Sequence, residues 1–368
     1  MFSTFNYKWL LKMGPSIAKF GLNAGLPVKG LLMDTIFAQF CGGESIEDCA
    51  ETVERLHKAG IGTILDYSVE GQEDERTFDA TAQEIIRTIE KAAEEPDKIP
   101  FSVFKVTGIA RFIILEKATK GEDHLAGDDL AEFQRVKNRF FKITGRAAEL
   151  KIPILVDAEE TWIQVTIDRL TEEAMRQYNK EACIVYNTLQ FYRHDRLEYL
   201  KSCILNAQEE GYYLGYKLVR GAYMEKERLR AYKSGYPSPI QRSKAESDLD
   251  FDKGLRICID YIDRVHIVAG THNEQSCRFL TELMHEKGIA VNDKSVYFAQ
   301  LLGMSDHISY NLAHAGYNVA KYVPYGPLKE VLPYLSRRAE ENSSVKGQAG
   351  RELGLINAEL KRRNQNPK

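Results

Sequence analysis

The chain has 368 residues, enough to bury one large core or two smaller ones. At 43% hydrophobic and 28% charged it has an ordinary globular composition, and a net charge of -3 argues against bulk nucleic-acid binding. Cys41, Cys49, Cys183, Cys203, Cys258 and Cys277 form no Cys-x-x-Cys pair, which speaks against a zinc site or a disulfide framework and suits a reducing compartment.

Residues 1–44 are expected to form a helical arm. Before Asp34 the arm has no acidic residue but carries Lys8, Lys12, Lys19 and Lys29 among Trp9, Leu10, Leu11, Ile17 and Phe20. That mix fits an anionic membrane surface, and it fits equally a helix packed on the main body. The absence of arginine weakens a mitochondrial presequence, and no cleavage signal of a secretory leader is present. No apolar run nears the roughly 20 residues needed to span a bilayer.

Residues 45–345 read as one domain. Ser45 and Asp48 make a capping-box-like start, and a helix runs through Val53 and Leu56 to Gly60. Short apolar runs then alternate with long amphipathic ones. The apolar runs are Thr63–Asp66, Phe101–Val106, Ile152–Asp157, Cys183–Gln190, Tyr216–Val219, His266–Gly270, Val296–Leu301 and Val319–Val323. Helical patterns such as Leu130–Leu150 and Glu274–Lys287 lie between them. Eight strand-then-helix units predict an α/β fold with a closed parallel (β/α)8 barrel of the TIM type. Gly235, Pro237 and Pro239 mark Tyr232–Ser243 as a loop between two helices of one unit. After the eighth run, Pro327 takes a first-turn position of a helix. Leu328, Val331, Leu332, Leu335 and Ala339 make its core face, while Tyr334, Arg337, Arg338 and Glu341 share another. Residues 346–368 are expected to form a carboxy-terminal helical tail.

The carboxyl ends of barrel strands build the active site. Those ends hold Asp66, Lys105, Asp157 with Glu159, Gln190, Lys217 with Arg220, Thr271 with His272, Gln300, and Tyr322. The adjacent Arg337 and Arg338 follow the eighth strand, so their helix begins at the same mouth. With Lys105 they suit a small carboxylate ligand, whereas on their own they fit a solvated basic helix end. Asp157 fits an ion pair with these cations or a loop cap. Tyr223, Leu301, Tyr322 and Tyr334 are candidate walls for a small apolar ring. His272 fits a base, a ligand or a satisfied strand-end histidine. A metal bound by Asp157, Glu159 and His272 is disfavoured by the surrounding positive groups, and no metal site is assigned. No Gly-x-Gly-x-x-Gly follows an early strand, so a Rossmann nucleotide domain is not indicated. Lys217, Arg220 and Thr271 fit a diphosphate-containing cofactor.

Together, Leu218-Val219-Arg220-Gly221-Ala222-Tyr223, Gly270-Thr271-His272-Asn273, Gln300-Leu301-Leu302-Gly303-Met304, Val156-Asp157-Ala158-Glu159-Glu160 and Tyr322–Asn342 resemble the proline dehydrogenase family. The resemblance covers roughly residues 60 to 345. It implies a distorted (β/α)8 barrel that holds FAD, oxidises L-proline to Δ1-pyrroline-5-carboxylate and passes electrons to a membrane quinone. It assigns Arg337, Arg338 and Lys105 to the proline carboxylate, and Tyr223, Leu301, Tyr322 and Tyr334 to the ring. On the cofactor side it assigns Gln190, Lys217, Arg220, Gly221, Ala222, Thr271, His272, Asn273 and Glu341. Asp157 would pair with the site cations, and Glu70 with Arg337 as a gate. Tyr322 favours proline over hydroxyproline. A monofunctional chain without a fused aldehyde dehydrogenase module is expected. Its place is the cytoplasm, peripheral on the inner membrane, or the mitochondrion in a eukaryote. A hydroxyproline-oxidising enzyme, a Schiff-base aldolase barrel using Lys105 or Lys217, and a non-enzymatic barrel serving as a membrane-associated binding module are the alternatives.

Overall fold

The computed structural model describes residues 37–68, 73–344 and Arg362. The arm residues 1–36, Glu70 and all of the tail except Arg362 lie outside the described residues.

Eight strands close a parallel barrel in sequence order, β1 pairing with β8. The strands are β1 (Ile61–Tyr67), β2 (Phe101–Phe104), β3 (Ile154–Val156), β4 (Val185–Gln190), β5 (Leu214–Val219), β6 (Val265–Gly270), β7 (Val296–Leu301) and β8 (Val319–Tyr325). Each overlaps one of the eight apolar runs read from the sequence. The helices are α1 (Ala50–His57), α2 (Glu75–Glu94), α3 (Phe112–Thr119), α4 (Asp128–Leu150), α5 (Thr161–Tyr178), α6 (Arg196–Glu210), α7 (Met224–Ser234), α8 (Lys244–Asp260), α9 (Glu274–Glu286), α10 (Asp306–His314) and α11 (Leu328–Ser344).

Local chemistry sets the element starts. The amides of Ser45 and Asp48 bond to each other's side chains, at 3.1 and 3.2 Å, one turn before α1. Asp74 caps α2 by accepting from the Thr77 amide at 2.9 Å. The loop between α7 and α8 ends in a complete Ser243–Glu246 capping box. Pro327 sits one residue before α11, not within its first turn. Its carbonyl accepts from the Glu330 and Val331 amides, so it begins the helix as an N-cap would.

Period-two alternation splits the strand residues between two cores. Helix-facing residues such as Leu65, Phe104, Val156 and Val323 join the large layer between sheet and helices. Ile64, Phe101, Val103, Leu155, Tyr186, Val268, Tyr297, Ala299, Ala320 and Tyr322 fill the barrel interior. There Phe101 meets Tyr297 and Tyr186 edge-on, with centroids 4.8 and 5.5 Å apart, so the barrel is packed rather than hollow at that level. A third cluster joins Phe37, Phe40 and Cys41 to Met304 and to Leu328, Val331, Leu332, Tyr334 and Leu335 of α11. Residues from Phe37 onward, within the stretch read as arm, thus pack on the barrel, and Gly43 bridges to Tyr325 of β8. Leu301 touches both the interior cluster and the α11 cluster, which places α11 beside the mouth.

Candidate active site

The alternation that fills the barrel also builds its mouth. Ile64, Val103, Leu155 and Ala320 face inward. Two residues further along the same strands come Asp66, Lys105, Asp157 and Tyr322. Lys217 joins them from β5. These five form one connected group. The Lys105 ammonium lies 3.3 Å from an Asp157 oxygen and 3.8 Å from Asp66. Lys217 ion-pairs with the other Asp157 oxygen and donates to the Tyr322 hydroxyl at 2.7 Å. Asp66 accepts from Ser68 at 2.9 Å.

The electrostatics follow from burial and pairing. Burial pushes the Asp157 carboxyl up, but Lys217 and Lys105 outweigh it and hold Asp157 below the usual carboxylate range. Burial pulls Lys217 down, against the pull of Asp157. Burial beside Asp157 and Asp66 keeps the Tyr322 phenol well above its ordinary value, so it stays neutral. The anchor for the cations is thus Asp157 toward the two lysines.

Toward β4 and β5, the Gln190 side chain donates to the Glu159 carbonyl at 2.7 Å. Arg220 pairs with Asp248 of α8 and donates to Thr271 at 2.8 Å and Ser276 at 2.9 Å. Gly221 has φ +130, and a Cβ there would run into the Tyr192 ring, so the turn after β5 requires glycine. Ala222 is exposed, and Tyr223 is half-buried at the N-cap of α7. Asn273 caps α9 by accepting from the Gln275 and Ser276 amides. Gln300 faces the helix layer, where it accepts from Ser309 and donates to the Thr271 carbonyl.

Half-buried His272 bonds through Nδ1 to the Ser305 hydroxyl at 3.0 Å. Burial, with the nearby charges of Lys321 and Arg338, depresses it to about 3, so the ring is neutral. Arg338 is 9% exposed, with its guanidinium 5.2 Å from the centre of the buried Tyr334 ring. Arg337 is half-buried beside it. The side chain of Glu341 lies outside the described residues. No group of acidic, histidine or cysteine side chains suited to a metal occurs among the described residues.

A family profile described as proline dehydrogenase matches residues 49–351. The chain belongs to the proline dehydrogenase family. Relatives similar to the chain differ in length. The mitochondrial proline dehydrogenase 1 of Homo sapiens is 38% identical over 269 residues, covering 70% of this chain and 44% of that protein. The carbapenem antibiotics biosynthesis protein CarD of Pectobacterium carotovorum is 33% identical over 342 residues, covering 91% and 86%. A hydroxyproline dehydrogenase of Xenopus laevis is 31% identical over 363 residues, covering 89% and 78%. The chain therefore spans less than half of the human protein and most of the bacterial one. Among solved structures, proline utilization A of Bdellovibrio bacteriovorus superposes with a TM-score of 0.75 at 20% identity, over 84% of this chain and 33% of that one. That likeness is one of fold, and its barrel corresponds to the eight-stranded barrel of this proline dehydrogenase family member.

Sequence reasoning missed four residues around the site: Lys321, Ser305, Asp306 and Asp248. Only Lys321 left a signal, as a lone charge inside an otherwise apolar last strand.

Proposed function

We propose that this chain oxidises L-proline to Δ1-pyrroline-5-carboxylate with bound FAD and passes the electrons to a membrane quinone. The observation that carries this reading is the linked group Lys105–Asp157–Lys217–Tyr322 at the mouth, with the arginine-bearing helix α11 seated beside it. Arg337, Arg338 and Lys105 bind and orient the substrate carboxylate. Tyr322, Leu301, Tyr334 and Tyr223 wall the ring, and they fix C5 in a reactive position instead of leaving it to collision. The cation-rich mouth favours the neutral substrate amine, whose lone pair is needed as C5 is oxidised.

The donor set fits the cofactor. Arg220 with Thr271 offers a cation and a hydroxyl to a diphosphate, and Gly221 lets the backbone pass closely. Gln190, Lys217, Ala222, His272, Asn273 and Glu341 complete the cofactor side. Held by these residues, FAD would supply the acceptor for a hydride from C5. Positive charge from Lys217 favours its reduced form. Tyr322, fixed by Lys217, closes the space a ring hydroxyl would need, which favours proline over hydroxyproline. The basic, apolar stretch 1–33 is the proposed contact with the quinone-bearing membrane, which is the inner mitochondrial membrane in a eukaryote. The test is turnover with a soluble quinone, with the product trapped by ortho-aminobenzaldehyde. Product formed from L-proline supports the reading, and none with either proline or hydroxyproline overturns it.

A further inference from the structure

The loop joining β7 to α10 carries three features that the site depends on. Leu301 contributes to the mouth and to the α11 cluster. Met304 packs under α11 with Tyr334 and Leu335. Ser305 holds the imidazole of His272. Two left-handed residues, Gly303 at φ +72 and Ser305 at φ +51, bend this loop, and the second is not a glycine. A loop bent this way needs something to hold it.

Lys321 does so from β8. Its side chain points away from the barrel interior and is 1% exposed. The ammonium donates to the Met304 carbonyl at 2.8 Å, the Leu301 carbonyl at 3.3 Å and the Asp306 carboxylate at 2.6 Å. The three acceptors span this turn, from the last residue of β7 through Met304 to the first residue of α10. The Asp306 side chain is 62% exposed, so the lysine is not buried to bury its counter-ion. A lysine is almost never buried unless it is paired, and this one directs three hydrogen bonds to the Leu301–Asp306 segment.

We propose that Lys321 is a positioning residue: through the Leu301–Asp306 loop it fixes the substrate wall at Leu301, the seat of the arginine-bearing helix at Met304, and the orientation of His272 through Ser305. This rests on the reading of the site as a proline oxidase. Lys321 reaches the proposed substrate wall through the backbone carbonyl of Leu301. It acts on binding geometry through backbone carbonyls.

The test compares Lys321→Met and Lys321→Arg holoenzymes with the parent, by steady-state kinetics, amide exchange and thermal melting. In Lys321→Met, the amides of Leu302, Met304 and Ser305 should exchange at least about tenfold faster while those of β3 and β4 are unchanged. KM for L-proline should rise about tenfold or more with kcat within about threefold, the signature of lost binding geometry rather than lost chemistry. Lys321→Arg should recover part of both effects. Unchanged exchange and KM in a folded Lys321→Met would overturn the proposal, as would a fall in apparent kcat that only matches the loss of folded protein while KM stays unchanged. If Lys321→Met does not fold, Asp306→Ala at its exposed position is read instead: a smaller rise in KM supports the clamp, and an unchanged KM overturns it. A parent enzyme inactive on proline would sink the functional reading, and amide exchange would still decide the clamp.

Discussion

Lys217 donates to the hydroxyl of Tyr322 across the barrel mouth at 2.7 Å, and its ammonium also lies 4.6 Å from the centre of that ring. A residue from β5 thus fixes the tyrosine from β8, and Asp157 from the β3 end binds the lysine. The wall of the proposed ring pocket is therefore set by a buried ion pair as well as by packing.

This arrangement predicts the effect of removing the ring. Tyr322→Ser should raise the ratio of hydroxyproline to L-proline turnover by about tenfold or more, since it opens space and offers a hydroxyl partner. Competition kinetics with both substrates measure it. An unchanged ratio would remove Tyr322 from the specificity argument.

Asp157 is a counter-ion shared by Lys105 and Lys217, so its loss leaves two ammonium groups near one another in a buried layer. Asp157→Ala should cost about 3–5 kcal/mol in urea unfolding, because one partner of a buried pair has gone. Adding Lys217→Met should recover part of that loss. A double variant as unstable as the sum of the two single ones would show that the pairing does not matter.

Arg337→Met and Arg338→Met remove charge-assisted donors from the proposed carboxylate clamp. Each should raise KM for L-proline by about 10²-fold, corresponding to roughly 2–5 kcal/mol. Arg338 is the more buried, and its loss should be the larger. Near-normal KM values in both would contradict the clamp.

Glu159 gives a prediction in pH. Burial raises its carboxyl from the ordinary 4.5 to about 7, although the Thr107 amide and hydroxyl favour the charged form. The native state therefore holds a proton that the unfolded chain releases. Its stabilisation is complete below about 4.5 and is lost as pH rises through about 7. Glu159→Gln, which keeps an acceptor for the Thr107 amide, removes that loss. Between pH 5 and pH 8 the variant should gain on the parent by up to roughly 3 kcal/mol in urea unfolding. Parallel stability curves would contradict the raised value.

The fold was legible because strand and helix periods alternate cleanly in the sequence, and eight short apolar runs admit few architectures. The mouth was legible in part for the same reason. Period two carries Val103 to Lys105 and Leu155 to Asp157, so inward-facing charge at strand ends is a local property. What the sequence hid is pairing across the barrel. Nothing near Lys217 says that it meets Asp157, sixty residues away, rather than a cofactor alone. Nor does the α8 sequence announce that Asp248 is delivered to Arg220. Lys321 was hidden for a subtler reason. It sits beside Tyr322 on β8, but one residue of offset turns it to the helix side, where its partners are backbone carbonyls of a loop.

The most direct test of the account is anaerobic addition of L-proline to the purified protein, followed by visible absorbance, with Arg338→Met alongside. The account predicts a yellow protein whose flavin bands bleach with L-proline, and an Arg338→Met variant that bleaches only at much higher proline. A colourless protein, or a yellow one whose bands persist at saturating proline, would contradict it.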